Sequence, residues 1–203
     1  MTHAATVHIV DDDETLRDAL AFLFASRGIG ARVWPSGQAF LDAWPLADCG
    51  CIILDVRMDG GLSGPQVFDQ LRAAGSTVPV IFLTGHADVP LAVQTLKAGA
   101  FDFVEKPFND NAIVDVAITA LGVSASRRAE LTAREALDQR LSTLSQRERE
   151  VMELMLAGSL NKQISDQLGI AMRTVEVHRS KVLSKMGARN VAELAAILSG
   201  TRG

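Results

Sequence analysis

Tyrosine is absent from this 203-residue chain, aromatic residues make up 5% of it, and cysteine occurs only twice. No apolar run exceeds the stretch from Ala19 to Ala25, far short of the roughly 20 residues a membrane-spanning helix requires. No charged-then-apolar leader opens the chain, so a cytoplasmic location with no membrane partner is expected. Cys49 and Cys51 are separated by one glycine and have no nearby histidine or further cysteine. They are too close for a comfortable disulfide and cannot complete a zinc site, so they read as small buried hydrophobes in a reducing compartment. Residues 142–203 contain no phenylalanine, tyrosine or tryptophan, which removes the platform on which RNA bases would stack.

What is present describes an ordinary globular protein. With 48% hydrophobic residues, 22% charged residues and a mean hydropathy of +0.17, the chain buries a sizeable core, which excludes disordered and collagen-like classes. Its length suits one medium domain and one small one. The formal net charge of −4 is unevenly spread. Residues 1–121 carry 7 Lys and Arg against 15 Asp and Glu, whereas residues 142–203 carry 9 against 6. An acidic front and a basic tail suggest two domains with different partners, the second partner being a polyanion.

Five near-continuous apolar runs, Val7–Val10, Ala31–Trp34, Cys51–Leu54, Val80–Leu83 and Phe101–Val104, read as strands. Runs that are unbroken rather than alternating mark strands covered on both faces. Helix-like segments alternate with them at Thr15–Arg27, Gln38–Trp44, Pro65–Ala74, Pro90–Ala98 and Ala112–Leu121. That order predicts an α/β fold over residues 1–121, a five-stranded parallel doubly wound sheet of the flavodoxin-like type. Residues 122–141, with Leu131, Leu137 and Leu141 at helical spacings, read as a helical linker. Residues 142–203 read as a small all-α domain of four helices. Ser145 with Glu148 has the form of a capping box, Asn190 with Glu193 offers a similar start, and Gly158, Gly169 and Gly187 suit helix ends.

Ligands of doubly wound sheets bind at the carboxyl ends of the strands. Those ends present Asp11, Asp12 and Asp13, then Asp55, Thr84 and Lys106. Asp13, directly before a helix, suits an N-cap. Carboxylates converging on one sheet edge need a cation to stay ionised together, and oxygen-only donors suit a hard ion such as Mg²⁺. A carboxylate there can accept a phosphoryl group, with a metal, a lysine and a hydroxyl stabilising charge on its oxygens. Asp55 is therefore assigned as nucleophile, Asp11 and Asp12 as metal ligands, Lys106 as counter-charge and Thr84 as hydroxyl donor. A lone acidic run is usually a cap or solvated surface; the shared position of these five after parallel strands singles them out.

The runs His8-Ile9-Val10-Asp11-Asp12-Asp13, Ile53-Leu54-Asp55-Val56-Arg57-Met58, Phe82-Leu83-Thr84-Gly85-His86 and Phe103-Val104-Glu105-Lys106-Pro107-Phe108 resemble the receiver domains of bacterial two-component response regulators. The resemblance spans roughly residues 5–121. It implies that a sensor histidine kinase phosphorylates Asp55, with Mg²⁺ held by Asp11, Asp12, Asp55 and the backbone carbonyl of Arg57. It also implies a switch in which the Thr84 hydroxyl turns toward the phosphoryl group and the Phe103 ring follows inward, and a cis bond at Lys106-Pro107. The loop Met58-Asp59-Gly60-Gly61-Leu62-Ser63-Gly64 departs from the family's Met-Pro-Gly-x-Ser-Gly pattern. It is one residue longer and has aspartate in place of proline, either as a tolerated surface insertion or as an added carboxylate near the metal.

Placed on a helical wheel, Arg173–Met186 separates into two faces. Val175, His178, Val182 and Met186 form a core stripe, in which His178 reads as a packed, satisfied histidine. Arg173, Glu176, Val177, Ser180 and Ser184 face the other way, flanked by Arg179, Lys181 and Lys185, as suits a helix entering the major groove. Asn161–Leu168, ended by Gly169, would be the first helix of a helix-turn-helix. Leu144-Ser145-x-Arg147-Glu148, Asn161-Lys162-x-Ile164 and Thr174-Val175-Glu176-Val177-His178-Arg179 together resemble the LuxR-type DNA-binding domain over residues 142–199. Glu176, Val177 and Ser180 match family positions that read base edges, and the wheel adds Arg173. Lys162, Thr174, Arg179, Lys181 and Lys185 would contact phosphates.

The whole layout, including Gly85-His86-Ala87-Asp88-Val89-Pro90-Leu91-Ala92-Val93, is similar to regulators of the FixJ type. That similarity implies a homodimer formed on phosphorylation through the helix Pro90–Ala98 and the strand after it. It also implies promoter DNA with two related half-sites, and RNA polymerase as a further partner, in an activator rather than an enzyme. Two alternatives stand beside this expectation. One is a constitutive DNA-binding regulator with a vestigial receiver. The other is an aspartate-nucleophile phosphohydrolase, which would carry a second acid where Arg57 stands.

Overall fold

The computed structural model describes residues 5–85 and 94–200 of a chain that divides into two compact units, Met1–Arg127 and Arg128–Gly203. In the first unit β1 (Thr6–Val10), β2 (Ala31–Trp34), β3 (Cys49–Asp55), β4 (Val80–Gly85) and β5 (Asp102–Lys106) pair in parallel, in the order β2-β1-β3-β4-β5. Helices α1 (Glu14–Ser26), α2 (Gly37–Asp42), α3 (Gly64–Ala73) and the first half of α4 (Asp110–Ser142) supply its two covering layers. This is the doubly wound sheet that the alternating pattern predicts.

β3 is buried along its whole length, and its side chains alternate between two cores. Ile52 and Leu54 join Phe40, Val67, Phe68 and Leu71 on one face. Cys51 and Ile53 join Leu20, Phe24, Ile113 and Ala117 on the other. Protein on both faces disfavours polar side chains along the strand up to Leu54, which is why Cys51–Leu54 reads as an unbroken apolar run; Asp55 comes only at its end. Both cysteines are free thiols and fully buried. Burial pushes the Cys51 thiol up, so it stays protonated and unreactive.

The edge strands are less regular in sequence. β5 lies at Asp102–Lys106, one to two residues beyond the predicted Phe101–Val104, because a half-exposed edge strand admits Asp102, Glu105 and Lys106. Lys106 is therefore the last residue of a strand, paired with Gly85, rather than the residue after one. Asp55 likewise closes β3, and Thr84 lies inside β4. The Lys106-Pro107 bond is cis, as the resemblance implies, and so is Trp44-Pro45. Of the predicted helix Pro90–Ala98, residues 94–97 are helical. Residues 86–93 lie outside the described residues, and with them all of the motif Gly85–Val93 after Gly85 and the first four residues, 90–93, of the expected dimer face.

α4 continues without a break through residues 122–141. In the second unit Leu137 of α4 packs with α5 (Gln146–Leu156), α6 (Asn161–Leu168), α7 (Met172–Met186) and α8 (Val191–Ser199). Val151, Met155, Ile164, Val175, Val182, Met186 and Leu194 form the centre of this core. The capping box at Ser145 is reciprocal. The Glu148 amide donates to Ser145 Oγ at 3.3 Å, and the Ser145 amide donates to Glu148 Oε2 at 2.8 Å. Gly169 ends α6 at φ 64°, a left-handed conformation that favours glycine. Among the described residues, no helix is long and apolar enough to cross a membrane.

Candidate acidic pocket and nucleic-acid interface

The carboxyl ends of β1 and β3 bring Asp11, Asp12 and Asp55 together, with one oxygen of each within 4.8 Å of the others. Lys106, at the end of β5, closes the group. Its ammonium donates to Asp11 Oδ2 at 2.8 Å and to Asp55 Oδ1 at 2.9 Å. A backbone amide steadies one further oxygen of each carboxylate. Asp11 Oδ1 accepts from the Asp13 amide at 2.9 Å, Asp55 Oδ2 from the Arg57 amide at 3.2 Å, and Asp12 Oδ2 from the Asp59 amide at 2.9 Å. Asp13 caps α1 by accepting from the amides of Thr15 and Leu16 at 2.9 and 3.3 Å. That cap fixes the short turn on which Asp11 and Asp12 sit.

Burial separates the roles. Asp11 and Asp55 are buried, whereas Asp12 is exposed at the mouth. Burial raises the Asp55 carboxyl above its ordinary range, with Lys106 opposing the shift and Asp11 and Asp12 adding to it. The Lys106 ammonium is disfavoured by burial, but its hydrogen bonds to Asp11 and Asp55 outweigh this and hold it above its ordinary value. Three carboxylates facing one lysine leave an excess of negative charge carried by hard oxygen donors. That donor set fits a small divalent cation such as Mg²⁺.

Thr84 is buried, and its hydroxyl donates to the Gly85 carbonyl at 3.4 Å. Phe103 is half-buried and packs against the core on the α3 side. The Arg57 side chain is exposed. Sequence reasoning misses Gly64, at the start of α3. A Cβ there would lie 2.2 Å from the Asp55 carbonyl oxygen, so only glycine lets α3 approach the end of β3 this closely. It also misses Arg17, which donates to the Asp11 carbonyl at 2.8 Å.

In the second unit α7 divides as the helical wheel predicts. Val175, Val182 and Met186 are fully buried, while Arg173, Thr174, Glu176, Val177, Ser180, Lys181 and Ser184 are exposed. Arg179 is half-buried, and Lys162 is exposed at the start of α6. Val177 is 47% exposed, an apolar side chain in the middle of a polar face. One expectation is corrected. His178 is half-buried, but its Nδ1 is buried without a hydrogen-bond partner among the described residues, so it is not a satisfied histidine. Lys185, exposed near the end of α7, is engaged within the unit. Its ammonium donates to Glu148 Oε2 at 2.7 Å and to the Thr143 carbonyl at 2.8 Å, tying the end of α7 to the start of α5. Glu148, Ser180, Lys181, Ser184 and Lys185 line an open cavity of about 370 Å³ on this side.

A strand-end carboxylate cluster with a bridging lysine, and a helix-turn-helix with one exposed polar face, are the two marks of a response regulator with a DNA-binding output. The comparisons agree. The response regulator receiver domain matches residues 7–118, and the luxR family of bacterial regulatory proteins matches residues 142–198. The chain belongs to the two-component response regulators and is a transcriptional regulator with a LuxR-type DNA-binding domain. It is 68% identical over 192 residues to the C4-dicarboxylate transport transcriptional regulatory protein DctR of Rhodobacter capsulatus, covering 94% of this chain and 97% of that one. It is 46% identical over 202 residues to the transcriptional regulatory protein FixJ of Azorhizobium caulinodans, covering 98% and 95%. Among solved structures, the response regulator StyR superposes with a TM-score of 0.91 at 36% identity, over 97% of this chain and 99% of that one. Full-length FixJ from B. japonicum superposes with a TM-score of 0.60 at 39% identity, over 98% and 97%.

Proposed function

We propose that residues 1–121 receive a phosphoryl group on Asp55 from a sensor histidine kinase and that residues 142–203 bind promoter DNA in response, with residues 122–141 as the linker. The observation that carries this reading is Lys106 bridging Asp11 and Asp55 at 2.8 and 2.9 Å. In the transfer, the phosphorus–nitrogen bond of the kinase phosphohistidine breaks as a bond forms between phosphorus and an Asp55 carboxylate oxygen. Burial keeps that carboxylate basic and hence nucleophilic. Mg²⁺ held by Asp11, Asp12, Asp55 and the Arg57 carbonyl would supply positive charge to the phosphoryl oxygens. Lys106 transfers one of its hydrogen bonds from Asp55 to the phosphoryl group. Thr84 leaves the Gly85 carbonyl to donate to the same group, and Phe103 fills the space its movement opens. The only self-directed chemistry is phosphorylation and slow dephosphorylation at Asp55.

The phosphorylated chain forms a homodimer through the segment 90–98 and β5, and each copy places α7 in the major groove of one half-site. Arg173, Glu176, Val177 and Ser180 read base edges. Glu176 accepts from a cytosine amino group, and Val177 meets a thymine methyl. Lys162, Thr174, Arg179 and Lys181 contact phosphates, while Lys185 holds α7 in place. The regulator acts in the cytoplasm as an activator, through RNA polymerase. The 68% identity to a regulator named for C4-dicarboxylate transport supports genes of that class as targets.

The test is fluorescence anisotropy of a duplex from the promoter of a C4-dicarboxylate transporter, titrated with the full chain. Acetyl phosphate and Mg²⁺ tighten binding of the wild type and leave Asp55→Asn unchanged. Equal affinity with and without the phosphodonor overturns the reading in favour of a constitutive regulator. Tightening on an unrelated promoter alone overturns only the target class.

A further inference from the structure

Each carboxylate of the acidic pocket has a backbone amide as a partner, and one of these amides is unlike the others. Asp11 and Asp55 are steadied by amides two residues further along their own turns, from Asp13 and Arg57. Asp12 is steadied by the amide of Asp59, 47 residues away, in the loop that departs from the family pattern. Proline has no N–H to donate. A chain with proline at this position could not make the bond, so the departure supplies a donor.

The loop is held at both ends. Its start is fixed to Asp12 by this hydrogen bond. Its end is fixed to α3, where the amide and hydroxyl of Ser63 donate to Gln66 Oε1 at 2.9 and 3.1 Å, and where Leu62 packs against the core. Between them lie Gly60, at φ 74°, and Gly61, with open space around both. Asp12 is the exposed member of the cluster. Without an anchor its side chain would sample several rotamers and lose that freedom on binding a cation. Hydrogen bonds from outside the ligand set remove that loss by holding a ligating carboxylate in position.

We propose that the backbone amide of Asp59 is a positioning group for Asp12, pre-orienting its carboxylate for the divalent cation and tying the longer loop to occupancy of the metal site. The proposal rests on the metal-binding reading of the pocket. It assigns the effect to the amide and none to the Asp59 carboxylate, so the two substitutions that separate these atoms give different answers. Residues 59–60 form a turn, and proline is common at the position before a glycine of positive φ in such turns. Asp59→Pro thus removes the donor from a site that accepts proline, and Asp59→Ala removes only the carboxylate.

The experiment is a calorimetric titration of Mg²⁺ into the full chain. Asp59→Pro is expected to bind about tenfold more weakly than the wild type, and Asp59→Ala to bind as the wild type does. Equal affinity of Asp59→Pro and wild type overturns the proposal, and so does equal weakening by both substitutions. No Mg²⁺ binding by the wild type overturns the metal reading itself, and this inference with it. Amide hydrogen exchange gives a measurement free of any change to the loop. The Asp59 amide is protected in the wild type and loses that protection in Asp12→Ala; protection that persists in Asp12→Ala overturns the proposal.

Discussion

Lysines 181 and 185 lie one turn apart on α7 and line the same cavity, yet they do different work. Lys181 is exposed and suits a DNA phosphate, whereas Lys185 is engaged by Glu148 and the Thr143 carbonyl. A lysine that neutralises a phosphate releases a counterion, so its loss flattens the salt dependence of binding; a lysine that only holds the helix does not. Lys181→Gln should weaken DNA binding and reduce the slope of log affinity against log salt by about one. Lys185→Gln should weaken binding with the slope unchanged and lower the denaturation midpoint of the DNA-binding unit. Anisotropy over a salt series, with urea unfolding of both variants, measures this. A reduced slope for Lys185→Gln, with the midpoint unchanged, would restore it to the phosphate contacts.

At the scale of elements, the Lys185 contact makes the junction of α5 and α7 sensitive to acid. The hydrogen bond from Lys185, then that from the Ser145 amide, hold the Glu148 carboxyl down to about 2 from an ordinary value of 4.5. A carboxyl depressed in the folded state stabilises it fully above the ordinary value, and that contribution is lost as pH falls toward the folded value. Thermal melts of the second unit should therefore lose stability between about pH 4.5 and pH 2. Glu148→Gln should be less stable at neutral pH and lose less across that window, and an identical pH profile for the two would contradict the assignment.

The elements also show what a sequence makes legible. β1, β3 and β4 read directly from their apolar runs because both of their faces are covered. β5 was displaced because an edge strand tolerates charge. The meeting of Asp11, Asp12, Asp55 and Lys106 was legible because doubly wound sheets gather strand ends at one edge. The partners were not. Ser145 and Glu148 announce a cap between partners three residues apart, but nothing in that motif tells that Glu148 also meets a lysine 37 residues on. The Asp59 amide and the close approach at Gly64 are backbone features, which side-chain patterns do not report. His178 fell on the expected face, but its unpartnered nitrogen depends on neighbours that the wheel does not contain.

Taken as a whole, the molecule joins an acidic unit built to take a phosphoryl group to a basic unit built to meet DNA. The balance is −8 over residues 1–121 and +3 over residues 142–203. Everything proposed for the second unit's regulation depends on covalent chemistry at one buried carboxylate of the first. The most direct measurement is the intact mass of the full chain after incubation with acetyl phosphate, with and without Mg²⁺, beside Asp55→Asn. The account predicts a single phosphoryl adduct that requires Mg²⁺ and is absent from the variant. An unmodified wild-type chain under every condition, or an equal adduct on Asp55→Asn, would contradict it.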